Sequence, residues 1–96
     1  MVRPTKPRKI MCDPYATYFK PRAIPLSELE EIELKLDELE AMRLCDLEKL
    51  DQLKAAKKMK ISQSTLARIL SSAHKKVAEA LVKSKVIKIK KEIRNR

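Results

Sequence analysis

The sequence predicts a mainly α-helical fold with three helices, an extended basic N-terminal arm and a small two- or three-stranded β element. Apolar residues recur at helical spacing through most of the second half of the chain, which is typical of helices packed around one core. All five prolines and every aromatic residue fall within residues 1–25, and proline at this density excludes a long helix there. With 96 residues, the chain can form one small domain with a modest core.

Residues 1–25 are predicted to form the extended, proline-rich arm. Six basic residues and one acidic residue give this segment a net charge of +5. A basic arm can follow DNA phosphates or enter a minor groove. Its first four cations are the candidate phosphate contacts: Arg3, Lys6, Arg8 and Lys9. In the alternative reading, Tyr18, Phe19 and Ile24 only pack as a flap over the core. Within the same segment, KIMC (Lys9–Cys12) is a candidate short strand.

Residues 26–96 are predicted to form the main domain, which begins with a strand and a helix. The segment IELKL (Ile32–Leu36) alternates apolar and polar residues, as a half-buried strand does. Its natural partner is VIKIKKEI (Val86–Ile93), within a C-terminal strand and tail at residues 85–96. The first helix is expected at about residues 37–48, with Asp37 as its N-cap.

Two further helices follow closely on one another. The second is expected at residues 52–59, with Asp51 as N-cap and Leu53, Ala56 and Met59 on its buried side. The third is expected at residues 62–84, with Ser62 as N-cap and a regular apolar stripe from Leu66 to Leu81. Two helices joined by a tight turn, the second polar on its outer face, are typical of a helix-turn-helix.

The polar face of the third helix is the candidate reading surface for DNA. Gln and Arg side chains can pair bidentately with adenine and guanine edges, while Ser and Thr are more permissive. The candidate base contacts are Gln63, Ser64, Thr65, Arg68 and Ser72. The candidate phosphate contacts in this region are Lys57, Lys58, Ser62, Lys75 and Lys76. The alternative is an ordinary solvated face on an ordinary helical hairpin.

The distribution of charge favours a polyanionic partner. The formal net charge of the whole chain is +10. Residues 26–50 carry three basic and nine acidic residues, giving −6, whereas residues 51–96 carry fourteen basic and three acidic residues, giving +11. The positive charge therefore lies in the arm and in the proposed reading half, as expected of a nucleic-acid-binding protein.

No catalytic, metal or cofactor site is expected. The sequence has no nucleophile–base pair at a recognisable spacing and, having no glycine, no phosphate-binding glycine loop. Cys12 and Cys45 form neither a CxxC pair nor a disulfide framework. No apolar run approaches the roughly 20 residues that cross a bilayer, and the basic N-terminus lacks the apolar region of a secretory signal. We therefore expect a cytoplasmic, non-enzymatic protein without a membrane partner.

Two stretches carry a resemblance to known families. The stretch LDELEAMRLCDLEKLDQLKAAKKMKISQSTLARILSSAHKKVAEAL resembles the C-terminal, promoter-recognising helix-turn-helix of sigma factors (region 4) and of LuxR-type regulators. More closely, TYFKPRAIPLSELEEIELKLDELEAMRL resembles a small bacterial and archaeal family of predicted DNA-binding proteins of unknown function, over about residues 3–90. The resemblance implies a sigma-region-4-like motif without a known target. This chain departs from the pattern where Lys49 and Lys60 replace the usual glycines.

The sequence therefore predicts a protein that binds double-stranded DNA, a transcriptional regulator that reads the major groove with the helix starting at Ser62. Two alternatives stay open. The chain could be a protein-interaction module that docks on the transcription machinery through its acidic segment, residues 28–48. It could also be a non-specific RNA or nucleoid binder that uses charge alone. A homodimer is a further open partner, because helix-turn-helix proteins commonly read two half-sites.

Overall fold

The structure, a computed structural model, describes residues 8–91. Within them the chain forms three α-helices and one three-stranded sheet. The predicted three helices and small β element are thus confirmed. The strands are β1 (Tyr18–Phe19), β2 (Glu31–Lys35) and β3 (Val86–Lys90). The helices are α1 (Leu36–Met42), α2 (Gln52–Met59) and α3 (Gln63–Lys83), and a short 3-10 turn spans Leu26–Glu28.

The sheet has the order β1-β3-β2, so the last of the three described strands is the central one. β2 and β3 are parallel, with Leu34 opposite Ile89 and Ile32 opposite Ile87, which confirms the predicted pairing of these two segments. β1 pairs antiparallel with the other edge of β3. The prediction of a strand at KIMC was wrong, because the first strand among the described residues lies further along.

Helix α1 follows β2 without a loop, and this changes its cap. The helix begins at Leu36, and the carboxylate of Glu38 accepts the backbone N–H of Lys35 at 2.9 Å. Asp37 therefore lies inside the first turn and is not the N-cap that the sequence suggested. Its carboxylate instead forms an ion pair with Arg8 at 3.2 Å. The acidic side chains still lie near the positive end of the helix dipole.

The continuation of α1 is a π-helical turn at Arg43–Leu47. The N–H of Glu48 donates to the carbonyl of Arg43 at 2.9 Å, the wider spacing that defines such a turn. Leu44 is buried within it, whereas the side chain of Leu47 is 74% exposed. The turn therefore keeps one leucine in the core and directs another to solvent.

The connection between α2 and α3 is tightly defined. Asp51 starts α2 by accepting the N–H of Lys54 at 2.8 Å, and Ser62 starts α3 by accepting the N–H of Thr65 at 3.1 Å. At the end of α2, Ile61 N–H donates to the Ala56 carbonyl at 3.0 Å, which closes the helix in a Schellman motif. Only three residues, numbers 60 to 62, separate the two helices.

Non-glycine residues in the left-handed region follow all three helical segments. Lys49, Lys60 and Ser84 have φ angles of 63°, 58° and 56°. This is the position that glycine usually takes, and the chain has none. A residue with a Cβ atom pays about 1 kcal/mol or more for this conformation. These turns therefore form without glycine, but each non-glycine residue in the left-handed region has a conformational cost.

The core lies between α1, α2 and α3 and continues under the sheet. Leu44, Met59 and Leu66 are fully buried, and small residues such as Ala56 let α2 and α3 approach closely. Two predictions of burial were wrong, because Leu53 is 56% exposed and Leu81 is 73% exposed. The covered face of each helix is narrower than the apolar stripe in the sequence.

Candidate nucleic-acid interface

The first turns of α3 present a polar surface to solvent. Gln63, Ser64 and Arg68 are exposed, while Leu66 on the other side of the helix is fully buried. Thr65 is half-buried, and its hydroxyl accepts a hydrogen bond from Ser62 at 2.9 Å. Because these residues follow an N-cap, the unpaired amides of the first turn point out of the same end of the helix. Such an end attracts anionic groups.

Lysines surround this end of α3. Lys57, Lys58 and Lys60 are exposed at the end of α2 and in the turn, and Lys75 is exposed two helical turns beyond Arg68. The backbone N–H of Lys9 donates to the carbonyl of Met59 at 2.9 Å, which places this residue beside the end of α2. The structure thus brings a residue from the N-terminal segment next to the lysines of α2. This long-range contact also satisfies a helix-terminal carbonyl.

Ser72, Lys76 and Arg8, all predicted contact residues, have their side chains held by other elements of the fold. The hydroxyl of Ser72 donates to Glu38, and the ammonium of Lys76 donates to Glu38 at 2.8 Å and to the Glu33 carbonyl at 2.9 Å. Arg8 is held by its ion pair with Asp37. The structure therefore places Ser72 and Lys76 at the contact between α1, β2 and α3, away from the exposed polar face. Arg3 and Lys6 lie outside the described residues.

Glu38 is the charged centre of that contact. It is 5% exposed, and burial alone would raise its pKa. The hydrogen bonds from Lys76, Ser72 and the Lys35 N–H outweigh burial and hold the pKa of Glu38 below its ordinary value. The carboxylate is therefore ionised at neutral pH and links β2 and the start of α1 to the middle of α3. This linkage fixes how α3 lies on the rest of the domain.

A second buried carboxylate, Glu40, anchors the N-terminal segment. Arg43 binds it with two hydrogen bonds of 2.8 and 2.9 Å, and Met11 donates its backbone N–H at 3.1 Å. Burial would raise the pKa of Glu40, but these hydrogen bonds outweigh it and lower the pKa to about 2. The same surroundings act oppositely on the neighbouring thiol, because burial and the Glu40 carboxylate raise the pKa of Cys12 to about 11.

Lys60 is a member of this surface that the sequence interpretation left out of its contact residues. The sequence predicts that Lys60 is exposed, and the structure confirms this, with the side chain exposed between α2 and α3. The lysine-rich segment KKMK at residues 57–60 indicated more directly that Lys60 belongs to this basic surface. Glu38 was also missed, since nothing local to LDELE indicates that its partners lie 34 and 38 positions further along the chain.

Histidine, cysteine and carboxylate side chains are spread through residues 8–91. No group of three or more His, Cys, Asp or Glu side chains there is arranged to hold a metal ion. The one histidine, His74, has its Nε2 atom 2.6 Å from Asp46 and joins α3 to the π-helical turn. In the same part of the chain, none of the helices combines the length and apolar character needed to cross a membrane.

Fold and surface together define a class: small three-helix domains with a short mixed sheet and a basic, solvent-facing helix. The chain belongs to the family described as "Protein of unknown function DUF134", whose model matches residues 1–93. It is 52% identical over 89 residues to a UPF0251 protein of Caldanaerobacter subterraneus subsp. tengcongensis, covering 93% of this chain and 75% of that relative. None of the solved structures matches the chain.

The family extends across bacteria and archaea. A UPF0251 protein of Methanocella arvoryzae is 53% identical over 89 residues, covering 93% of this chain and 53% of the relative. A UPF0251 protein of Clostridium botulinum is 52% identical over the same length, covering 93% of this chain and 57% of the relative. This chain therefore spans only about half to three quarters of the length of these relatives.

Proposed function

We propose that this protein is a sequence-selective DNA-binding protein, a transcriptional regulator whose α2 and α3 act as a helix-turn-helix. One observation carries the proposal: the first half of α3 exposes Gln63, Ser64 and Arg68, while its opposite side is buried against α2 and α1. A helix that enters the major groove must present such a face beyond the rest of the domain. The sigma-region-4-like resemblance of this stretch supports the same assignment.

The connection between the helices supports the proposal. Its three residues match the short turn of a helix-turn-helix, and Ala56 lies where the two helices must pack closely. Ser62 holds the first turn of α3 with its amides directed outwards. In this arrangement α2 lies across the DNA backbone and α3 enters the groove N-terminus first.

We assign base contacts to Gln63, Ser64, Thr65 and Arg68, with Arg68 as the strongest discriminator. An arginine can bind guanine bidentately, and such a pair is worth about 1–3 kcal/mol of discrimination. Phosphate contacts belong to the exposed cations around this face, which position the protein without reading sequence. They are Lys9, Lys57, Lys58, Lys60 and Lys75. Ser72 and Lys76 instead support α3 through Glu38.

The proposal is tested by selecting binders from a random duplex DNA library at about 150 mM salt, close to physiological ionic strength. We expect the wild-type protein to enrich one motif. Arg68→Ala should lose preference at one position of that motif, by roughly fivefold or more. Lys75→Ala should weaken binding to all DNA sequences alike. It should also reduce the salt dependence of the affinity by the amount expected for about one phosphate contact. Lys90→Ala, which removes an exposed cation from β3, is the matched control and should change neither.

Two outcomes would each refute the proposal in a distinct way. Equal retention of all sequences, with a steep salt dependence, would identify a non-specific nucleic-acid binder. If the protein retained no DNA from the library, the function would instead be binding to a partner protein. The symmetry of an enriched motif would report the oligomeric state on DNA, since a homodimer reads two related half-sites.

A further inference from the structure

A second surface of the domain is an open, mostly apolar groove. It lies between α1 with its π-helical turn and the N-terminal segment at residues 12–14, and its volume is about 620 Å³. Leu39, Met42 and Leu47 line one side, and Cys12 and Pro14 line the other. None of the residues assigned above to DNA binding lines it. The groove therefore poses a question separate from the function of α3.

The walls of the groove are held in place by interactions within the fold. Met11 donates its N–H to the buried Glu40 at 3.1 Å, next to the first wall residue of the N-terminal segment. The ammonium of Lys91, just after β3, lies 2.8 Å from Asp13 and 3.3 Å from the Pro14 carbonyl. A partner that fills the groove would thus meet a shape that already exists, which lowers the ordering cost of binding.

Leu47 is the most exposed apolar side chain of the groove. Its exposed fraction is 74%, and the π-helical turn directs it outwards while Leu44 occupies the core. An exposed leucine gains about as much as a core leucine if a partner removes it from water. The groove is also largely open to solvent. Openness of this kind suits the side chains of a protein segment better than a small ligand, which is normally mostly enclosed.

The charge at the rim indicates what kind of segment fits. Asp13 and Asp46 lie at the groove, with side chains 83% and 51% exposed. Asp13 contacts the ammonium of Lys91 and Asp46 contacts the imidazole of His74, but these exposed carboxylates have further lone pairs for a cation of a partner. The guanidinium of Arg43 is already bound by Glu40 and Glu48, so it does not offset them. Nucleic acid would be repelled here, and a cationic partner would be attracted.

We propose that this groove binds an amphipathic helix of a partner protein, with apolar side chains flanked by lysine or arginine. The apolar side chains would contact Leu39, Met42 and Leu47, and the flanking cations would contact Asp13 and Asp46. Such helix-in-groove recognition uses residues spaced i, i+3, i+4 and i+7 on the ligand. The contact leaves the exposed face of α3 free, so the protein could hold DNA and a partner together.

The probe is a fluorescein-labelled synthetic helix of about 16 residues with leucines at those spacings and lysines beside them. A second peptide carries glutamate in place of every lysine. Binding is followed by fluorescence anisotropy at about 150 mM salt. We expect the lysine peptide to bind and the glutamate peptide to bind at least about tenfold more weakly. Leu47→Gln should lower the affinity for the lysine peptide about tenfold, because this position no longer buries a leucine side chain on binding.

Leu81→Gln is the matched control, because this leucine is 73% exposed but lies on α3, outside the groove. It should bind the lysine peptide like the wild type. Equal loss in the two variants, equal binding of the two peptides, or no binding up to about 1 mM would overturn the proposal. So would duplex DNA that perturbs the amide signals of Leu39 and Leu47 in a heteronuclear NMR spectrum. If the same amide signals shifted with protein concentration when no peptide was present, the occupant would be a second copy of this chain, and the proposal would be overturned.

Discussion

Replacing Lys60 by glycine tests how this chain closes α2 without glycine. Lys60 has φ 58° and ψ 45°, and it ends the helix with its own N–H bonded to the Lys57 carbonyl at 3.1 Å. A residue with a Cβ atom costs about 1–2 kcal/mol in this region. Glycine removes that cost but gains about 0.4–1 kcal/mol of conformational freedom in the unfolded chain. The expected net change is a stabilisation of about 0.5–1 kcal/mol.

Lys58→Gly is the matched control. Lys58 is an exposed lysine two residues earlier in the same helix, with right-handed helical backbone. There glycine brings only its low helix propensity, so a destabilisation of about 1 kcal/mol is expected. Urea unfolding followed by circular dichroism should place the wild type between the two variants. For a domain of this size, 1 kcal/mol corresponds to a shift of roughly 4–8 °C in Tm.

The result that refutes this reasoning is specific. If Lys60→Gly destabilises as much as Lys58→Gly, then Lys60 does not occupy the left-handed region in solution. The turn between α2 and α3 would then differ in shape, and the pose of α3 relative to α2 would differ with it.

Two further predictions concern buried groups near the N-terminal segment. Because the pKa of Glu40 falls from 4.5 to about 2 on folding, its stabilisation is complete above pH 4.5 and lost as the pH falls towards 2. We expect acid unfolding of the wild type to lose of order 3 kcal/mol across that window and Glu40→Gln to lose clearly less; equal losses would contradict the assignment. Because the pKa of Cys12 is raised to about 11, its thiol should alkylate with iodoacetamide at pH 8 at least tenfold more slowly in the folded protein than in urea. Equal rates would show that residues 11–12 are not held against Glu40.

The helices could be predicted from sequence because their signals are local. Asp51 and Ser62 each accept the N–H three residues on, so a single side chain marks the start of each helix. The alternating pattern of β2 and β3 likewise predicted their pairing. Periodicity does not say how wide the covered face will be, and so Leu53 and Leu81 were placed in the core although both are exposed.

The contacts of the candidate interface could be predicted only in part. Ser72 and Lys76 are polar residues on a helix, and a polar type at such a position usually indicates solvent. Their partner Glu38 lies 34 and 38 positions away, and a local pattern carries no information about such a contact. Asp37 was taken as a cap because it opens the capping-box pattern Asp37-Glu38-Leu39-Glu40. In the structure β2 runs directly into α1.

The position of β3 in the sheet bears on how the protein is made. Within residues 8–91, β1 and β2 pair only with β3, which is the last of the three strands to be synthesised. Before residues 86–90 are made, α1, α2 and much of α3 can assemble around Leu44, Met59 and Leu66. The two earlier strands must wait with their edges unpaired until residues 86–90 emerge. Completion of the sheet therefore comes only after α3 has been made, and it locks the first described segment to the last.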